Sequence, residues 1–216
     1  MSAPARLIVF DLDGTLVDSS QDLASAVNAA LASFAPGTPP LSVDVVRTMI
    51  GEGATRLVAK ALDRAGVARA VGEVRPVFME CYAQRLLEST RPYPGIAEAL
   101  AALRTRTLAV LTNKPGDMSR SILEGLGLSS LFLRVYGGGD LATHKPDPEG
   151  LLRLVAEAGV GVDQAVMVGD SAIDVRTARA AGVRVVGVLW GFDAESLRRE
   201  PPDVIVSSPA ALLQAV

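Results

Sequence analysis

The sequence predicts an α/β fold: a doubly wound, Rossmann-like parallel sheet with a helical cap inserted after the first strand. Short apolar runs rich in β-branched residues alternate with longer Ala- and Leu-rich segments, the pattern of parallel strands covered by helices. From Asp18 to about Arg91 this alternation stops, and helical patterns follow one another with no strand between them. The sequence therefore predicts two domains, a core at residues 1–17 and 92–216 and a cap at residues 18–91.

Six apolar segments have the length and composition of buried strands. They are Leu7–Phe10, Leu108–Leu111, Leu133–Tyr136, Ala165–Val168, Val183–Val188 and Val204–Val206. Three segments between them have helical patterns, and each ends near a glycine that can form a left-handed C-cap. These predicted crossover helices are Gly116–Leu126, Pro148–Ala158 and Ala172–Ala180.

The inserted segment is predicted to consist of successive helices with no strand between them. Its predicted helices are Gln21–Phe34, Val43–Ile50, Ala54–Arg64 and Val71–Glu88. The proline- and glycine-rich stretch Pro36–Pro40 separates the first two helices. The segment Arg91–Gly95 contains two prolines and is predicted to be the linker that returns the chain to the sheet.

Composition narrows the classes of partner. The chain has 216 residues, 21 Lys and Arg against 24 Asp and Glu, and no long run of one charge. This balance gives no sign of a nucleic-acid-binding or membrane-binding surface, and no apolar stretch is long enough to cross a bilayer. The single cysteine, Cys81, cannot form an intramolecular disulfide. We therefore expect a cytoplasmic protein that acts on small molecules, while the oligomeric state stays open.

Polar residues collect where the predicted strands end. Asp11 and Asp13 follow the first strand, Thr112 and Asn113 the second, and Asp170 and Asp174 the fourth, while Lys145 precedes a crossover helix. In an open parallel sheet, ligands bind beyond the carboxyl ends of the strands. We therefore expect these side chains to meet at one edge of the sheet.

These residue types suit phosphoryl transfer from a monoester. Asp11 can attack phosphorus and form an acyl phosphate. Asp13 lies two positions further along an extended chain, on the same side, where it can protonate the leaving oxygen and later activate water. Thr112 can bind phosphate oxygens, and Lys145 can neutralise phosphate and nucleophile together.

A phosphate dianion beside two carboxylates also requires a cation. Mg²⁺ prefers oxygen ligands and keeps several waters, so it suits this set. Asp170 is the predicted second carboxylate ligand, and Asp174, four residues later on the same helical face, is predicted to hold the ligands in place. Alone, Asp170 or Asp174 would be interpreted as a helix cap and Lys145 as a surface charge. Only their ordered combination favours a site.

That combination resembles the haloacid dehalogenase superfamily. The matching motifs, in order, are DLDGTL from Asp11, LTN from Leu111, KP from Lys145 and GDSAID from Gly169. The resemblance implies that Asp11 is nucleophile and metal ligand and that Asp13 is the acid/base, with its backbone carbonyl as a ligand. It also implies that Asp170 binds metal and that Thr112 and Lys145 bind phosphate.

Local strings resemble a phosphoglycolate phosphatase-like subgroup. They are VDSSQDLASAVNAAL, IGEGATRLV, PYPGI, LTNKP and PDVIVSSPAALL. This resemblance implies a small phosphorylated metabolite as substrate, with 2-phosphoglycolate the leading candidate. It also implies that Gly51 and Gly53 belong to a loop that closes over the site and binds substrate. Asn113, in the LTN motif, is likewise a predicted substrate-binding residue. Arg56 could bind a substrate carboxylate or be a solvated arginine, and Lys114 could sense substrate or lie on the surface.

Two other functions stay open at this point. A sugar-phosphate mutase of the same superfamily would also form the phospho-aspartate but would return the phosphoryl group to its substrate. A non-enzymatic phospho-receiver module also combines acids, a threonine and a lysine on a doubly wound sheet. In that module, however, the phosphoacceptor follows the third strand, whereas Asp11 follows the first.

Overall fold

The computed structural model of the chain describes residues 5–216. Its strands are β1 (Leu7–Phe10), β2 (Val17–Asp18), β3 (Arg91–Pro92), β4 (Thr107–Pro115), β5 (Arg134–Gly138), β6 (Ala165–Gly169), β7 (Arg184–Val188) and β8 (Val204–Val206). Its α-helices are α1 (Ser20–Phe34), α2 (Val43–Arg47), α3 (Ala54–Ala65), α4 (Val71–Ala83), α5 (Ile96–Leu103), α6 (Gly116–Gly125), α7 (Glu149–Glu157), α8 (Ala172–Ala181), α9 (Ser196–Arg199) and α10 (Leu212–Ala215).

Six strands form one parallel sheet in the order β5-β4-β1-β6-β7-β8. Each contains most of one predicted strand, so the predicted parallel sheet is confirmed. In register, Leu7 of β1 lies opposite Thr107 of β4 and Ala165 of β6. Because β1 lies between β4 and β6, the carboxyl ends of these three strands meet at one place. The strand order reverses there, and doubly wound sheets bind ligands at such a point.

Both faces of the sheet are covered. Side chains of a strand alternate between its faces. On β1, Ile8 and Phe10 pack with apolar residues of α5, α6 and α10, whereas Leu7 and Val9 pack with residues of α7 and α8. All four of these β1 side chains are fully buried. This two-sided burial explains why the strands are continuously apolar rather than alternating.

The inserted helices form a third hydrophobic cluster, to which α6 of the core contributes Met118. It contains residues of α1, α2, α3 and α4, including the stacked rings of Phe78 and Tyr82, whose centroids lie 5.9 Å apart. The chain enters this region through β2 and leaves it through β3, and the two short strands pair antiparallel. This separate cluster supports the division at residues 18–91, which stays a prediction.

Some predicted boundaries were wrong. The helix predicted over Val43–Ile50 ends at Arg47, and the one predicted over Val71–Glu88 ends at Ala83. Short turns follow α4 because the chain must bend back toward β3. The buried carboxylate of Asp22 fixes that bend by accepting hydrogen bonds from the backbone N–H groups of Ser89 and Thr90. The α5 helix and the β2–β3 pair were not predicted.

Among residues 5–216, the helices lack the combination of length and apolar character that crossing a membrane requires.

Candidate active site

The chain brings the predicted residues to the carboxyl edge of the sheet. Asp11 directly follows β1, Asp170 directly follows β6, and Lys145 lies in the loop before α7. Thr112 and Asn113 lie within β4, which continues past an irregularity in its pairing with β5. Gly14 has a φ of 83°, and a side chain there would collide with the Asp170 carboxylate. The turn after β1 can therefore approach Asp170 closely because residue 14 is a glycine.

Lys145 joins two of the acids. Its Nζ lies 2.8 Å from Oδ1 of Asp11 and 2.7 Å from Oδ1 of Asp174. Its side chain is only 2% exposed. Burial alone would lower the pKa of Lys145, but the carboxylates of Asp11 and Asp174 raise it above the usual range. Lys145 therefore remains protonated beside the nucleophile candidate.

The acids are crowded in a dry environment. Oxygens of Asp11, Asp170 and Asp174 lie within 4.8 Å of one another. Burial raises the pKa of Asp11 to about 6, with Asp174 adding to the rise and Lys145 opposing it. Burial, together with the charges of Asp174 and Asp11, raises the pKa of Asp170 well above its usual value. Both raised pKa values mean that the positive charge nearby is too small to balance the negative charge of these carboxylates.

Two neighbouring segments orient the acids. The backbone N–H of Phe192 donates to Oδ2 of Asp170 at 2.6 Å. Oδ2 of Asp174 accepts hydrogen bonds from the hydroxyl and backbone N–H of Ser171, at 2.8 and 3.2 Å. Asp174 thus has one oxygen on Lys145 and the other on Ser171. That Asp174 holds the metal ligands in place stays a prediction.

Asp13 faces a different set of partners. Its carboxylate accepts a hydrogen bond from the hydroxyl of Ser19, and its two oxygens lie 3.0 and 3.1 Å from Nζ of Lys114. Lys114 also donates to the hydroxyl of Tyr82, on α4. Its side chain is 3% exposed, so the surface alternative for Lys114 was wrong. Burial raises the pKa of Tyr82 to about 12, so its hydroxyl remains protonated.

Tyr82 was missed by the sequence analysis. It is an aromatic residue on a cap helix and carries no motif, so its position gave no signal beyond helical packing. Its hydroxyl reaches the site only because α4 is docked across the end of the sheet. The partnership of Tyr82 with Lys114 therefore depends on tertiary structure.

Asn113 connects the cap to the sheet edge. Its Nδ2 donates to the carbonyl of Gly51 at 3.1 Å and to the carbonyl of Lys145 at 3.0 Å. Its Oδ1 is buried and has no hydrogen-bond partner. Thr112 Oγ1 accepts the backbone N–H of Lys114 at 3.3 Å, which leaves the threonine hydroxyl proton available to a ligand.

A cleft of about 470 Å³, counting space open to solvent, separates the acids from the cap. Asp11, Asp13, Thr112, Asn113 and Lys114 line its sheet side. Gly51 and Gly53 line the cap side, together with apolar side chains that include Leu23, Leu57 and Phe78. Arg56 is exposed and does not line this cleft, which leaves both predicted alternatives open, a contact with a substrate carboxylate and a solvated arginine.

A family model, relatives of similar sequence and solved structures of similar fold all match this chain. The family model described as haloacid dehalogenase-like hydrolase matches residues 8–188. A phosphoglycolate phosphatase of Rhodospirillum rubrum is 44% identical over 199 residues, covering 88% of this chain and 82% of the relative. A phosphoglycolate phosphatase of Agrobacterium fabrum is 36% identical, and the match covers 97% of this chain and 91% of the relative. The crystal structure of a predicted phosphoglycolate phosphatase from Haemophilus somnus superposes with a TM-score of 0.91 at 35% sequence identity. The match covers 98% of this chain and 97% of that protein.

Proposed function

The chain belongs to the haloacid dehalogenase-like hydrolase family and is a phosphatase, and we propose that it hydrolyses 2-phosphoglycolate through a phospho-aspartyl intermediate with Mg²⁺ as cofactor. The observation that carries this proposal is the buried Asp11 at the end of β1. Its carboxylate lies 2.8 Å from the ammonium of Lys145, and oxygens of Asp11, Asp170 and Asp174 lie within 4.8 Å of one another.

In the proposed reaction, an Oδ of Asp11 attacks phosphorus while the bond to the leaving oxygen breaks. Lys145 and the hydroxyl of Thr112 stabilise the negative charge of the transferring group. Asp13 donates a proton to the leaving oxygen, so the product leaves as an alcohol. Asp13 then removes a proton from the water that attacks the phospho-aspartate, which releases inorganic phosphate and restores Asp11.

The residues present fit a divalent cation. Four carboxylates, those of Asp11, Asp13, Asp170 and Asp174, surround the site, whereas Lys114 and Lys145 supply two positive charges. The donors are hard oxygens, which Mg²⁺ prefers. We propose that Asp11, the backbone carbonyl of Asp13 and Asp170 hold it, with Asp174 as support. When bound, Mg²⁺ would neutralise charge between the nucleophile and the phosphoryl group.

The substrate proposal is supported by relatives that are named phosphoglycolate phosphatase. It is also supported by the cleft, whose cap side is mainly apolar. A sugar-phosphate mutase must hold several sugar hydroxyls, and such a wall offers them few partners. We further propose that residues 18–91 act as a cap over this cleft, and that the protein is cytoplasmic.

The test measures phosphate release from 2-phosphoglycolate and from a panel of phosphorylated sugars and acids, with Mg²⁺. We expect 2-phosphoglycolate to give the highest kcat/KM. Isomerisation of a hexose phosphate without phosphate release would instead establish the mutase.

Asp11→Asn should abolish turnover and leave no phosphoryl group detectable by intact-mass measurement, because an amide does not form an acyl phosphate. Asp163→Asn is the matched control, since Asp163 is exposed and precedes β6 at the opposite edge of the sheet. Phosphorylation of the Asp11→Asn protein would refute the assignment of the nucleophile.

A further inference from the structure

Lys114 is a buried cation that the proposed reaction does not use. Its ammonium lies between the carboxylate of Asp13 and the hydroxyl of Tyr82, and 4.5 Å from the centroid of the tyrosine ring. In the part of the chain that the structure describes, Lys114 is the one cationic side chain that lines the cleft. Any negative charge on the leaving group of a substrate would therefore meet Lys114.

Lys145 cannot take this position. Its Nζ is already within 2.8 Å of Asp11 and 2.7 Å of Asp174, at the end of the site where the phosphoryl group would be attacked. Lys114 contacts Asp13 instead, the residue proposed to protonate the leaving oxygen. Lys145 thus lies where the phosphoryl group would bind, and Lys114 lies where the leaving group would bind.

A buried ammonium requires an anionic partner, because an unpaired charge in a dry site is strongly unfavourable. In the proposed reaction, Asp13 must turn toward the leaving oxygen and give up at least part of its contact with Lys114. A substrate with a neutral leaving group would then leave this charge under-paired. A carboxylate one methylene away from the leaving oxygen would replace Asp13 as the partner.

We propose that Lys114 determines specificity by selecting substrates whose leaving group carries a carboxylate close to the ester oxygen, and by exchanging Asp13 for that carboxylate. Tyr82 is a positioning residue, whose hydroxyl and ring hold the ammonium at the cap side of the cleft. This inference rests on the proposed phosphatase reaction and names the residue that selects its substrate.

The first test uses the wild-type protein with Mg²⁺. It compares kcat/KM for 2-phosphoglycolate with kcat/KM for its carboxamide analogue, which has the same shape without the charge. A hydrogen bond to a charged group supports a preference of about tenfold to a hundredfold for the carboxylate. Hydrolysis of both at equal kcat/KM would overturn the inference but leave the phosphatase proposal standing. Hydrolysis of neither these two nor any other phosphomonoester would refute the phosphatase proposal itself.

The second test substitutes Lys114→Met, which keeps the length of the side chain and removes its charge. Any general effect on Asp13 acts on both substrates and cancels in the ratio of their kcat/KM values. We expect this ratio to fall to about one, by the same tenfold to hundredfold. A ratio that stays at the wild-type value in a folded variant would refute the role of Lys114.

Two further variants complete the test. Lys114→Arg retains the charge and should keep the preference for the carboxylate, which also covers the case in which Lys114→Met does not fold. Arg56→Met removes the exposed cap arginine that was the other candidate for the substrate carboxylate. It should leave the ratio unchanged, and loss of the preference there would assign selection to Arg56 instead.

Discussion

Asp11 and Asp13 are chemically identical and two residues apart, yet they have different neighbours, which favour the different roles proposed for them. Asp11 is paired with Lys145 and lies within 4.8 Å of two further acids. These neighbours suit a nucleophile that also binds the proposed Mg²⁺. Asp13 instead contacts Ser19 and Lys114 and faces the cleft, which suits proton transfer at the leaving oxygen. The proposed division of roles therefore rests on the partners of the two aspartates and not on residue type.

Asp13→Asn tests this separation. The amide cannot transfer the proton, so kcat should fall by about a hundred- to ten-thousand-fold, with a smaller change in KM. The loss should be smaller for p-nitrophenyl phosphate, because its leaving group departs without protonation. With that substrate a phospho-enzyme should accumulate, detected as a burst and as added mass. Turnover at the wild-type rate would contradict the assignment of Asp13.

At this scale, the motifs predicted which residues meet, but not all of their partners. Asp11 and Asp170 directly follow strands, Thr112 lies near the carboxyl end of β4, and Lys145 precedes α7, so the sheet alone brings them together. The sequence predicted that the second strand would end before Thr112, whereas β4 continues to Pro115. The burial of Lys114 depends instead on Tyr82, on a helix that precedes it by about thirty residues and docks from the cap. No local pattern encodes such a contact.

At the scale of elements, the loop between α2 and α3 connects cap and core. Gly53 has a φ of 84°, and a Cβ there would lie 3.2 Å from the carbonyl oxygen of Asn113. Gly53→Ala should therefore both strain the loop and push it away from Asn113. We expect kcat/KM for 2-phosphoglycolate to fall about tenfold, equivalent to about 1.4 kcal/mol, and to fall less for acetyl phosphate.

Gly37→Ala is the matched control for this loop. Gly37 also has a positive φ, 90°, but a Cβ there would meet nothing within 4 Å. It should lower the melting temperature while leaving the kinetics unchanged. Equal losses for 2-phosphoglycolate and acetyl phosphate in Gly53→Ala would argue against a cap-based specificity loop.

Asp22 joins α1 to the segment that leaves the cap. Its carboxylate is buried and accepts the N–H groups of Ser89 and Thr90 and the hydroxyl of Thr90. Asp22→Asn replaces one accepting oxygen by an NH₂ group, which would face the N–H and O–H donors of Ser89 and Thr90. We therefore expect a loss of about 1–3 kcal/mol in the free energy of unfolding. Denaturant titration measures it, with Asp44→Asn on the exposed start of α2 as control. A loss no greater than that of the control would show that the hydrogen bonds of Asp22 do not contribute to the free energy of unfolding.

The sequence predicted most elements because their periodicity is local. It missed α5 although Ile96, Ala99, Leu100 and Leu103 recur at helical spacing and are all buried. That signal was available. By contrast, the end of α4 at Ala83 is set by the Asp22 contacts, which join residues 67 and 68 positions apart. A boundary fixed by such distant contacts cannot be predicted from local pattern.

At the scale of the whole molecule, we expect the buried acids to couple metal binding to the free energy of unfolding. Burial raises the pKa of Asp11 from its ordinary value of 3.8 to about 6 in the metal-free protein. Between these values the folded state holds a proton that the unfolded state has lost. The contribution of Asp11 to the free energy of unfolding therefore decreases as pH rises through this window. The raised pKa of Asp170 acts in the same direction.

A divalent cation should replace that proton, so its effect on stability must depend on pH. At about pH 5, protons compete with Mg²⁺ for Asp11, whereas at about pH 7.5 they do not, so Mg²⁺ should raise the melting temperature more at the higher pH. At a hundredfold excess over Kd, the gain is about 2.7 kcal/mol. For a chain of this size, each kcal/mol corresponds to a shift of about 2–4 °C.

Thermal melts at both pH values, with Mg²⁺ or with excess chelator, measure this difference directly. Asp170→Asn should reduce the shift caused by Mg²⁺, because it removes a proposed ligand. Ca²⁺ should also stabilise the fold yet inhibit turnover, since its larger and looser coordination shell would misplace Asp11 relative to phosphorus. The stability readout thus detects binding independently of catalysis. An equal shift at the two pH values, or full turnover after thorough removal of metal, would show that these acids do not hold the cation.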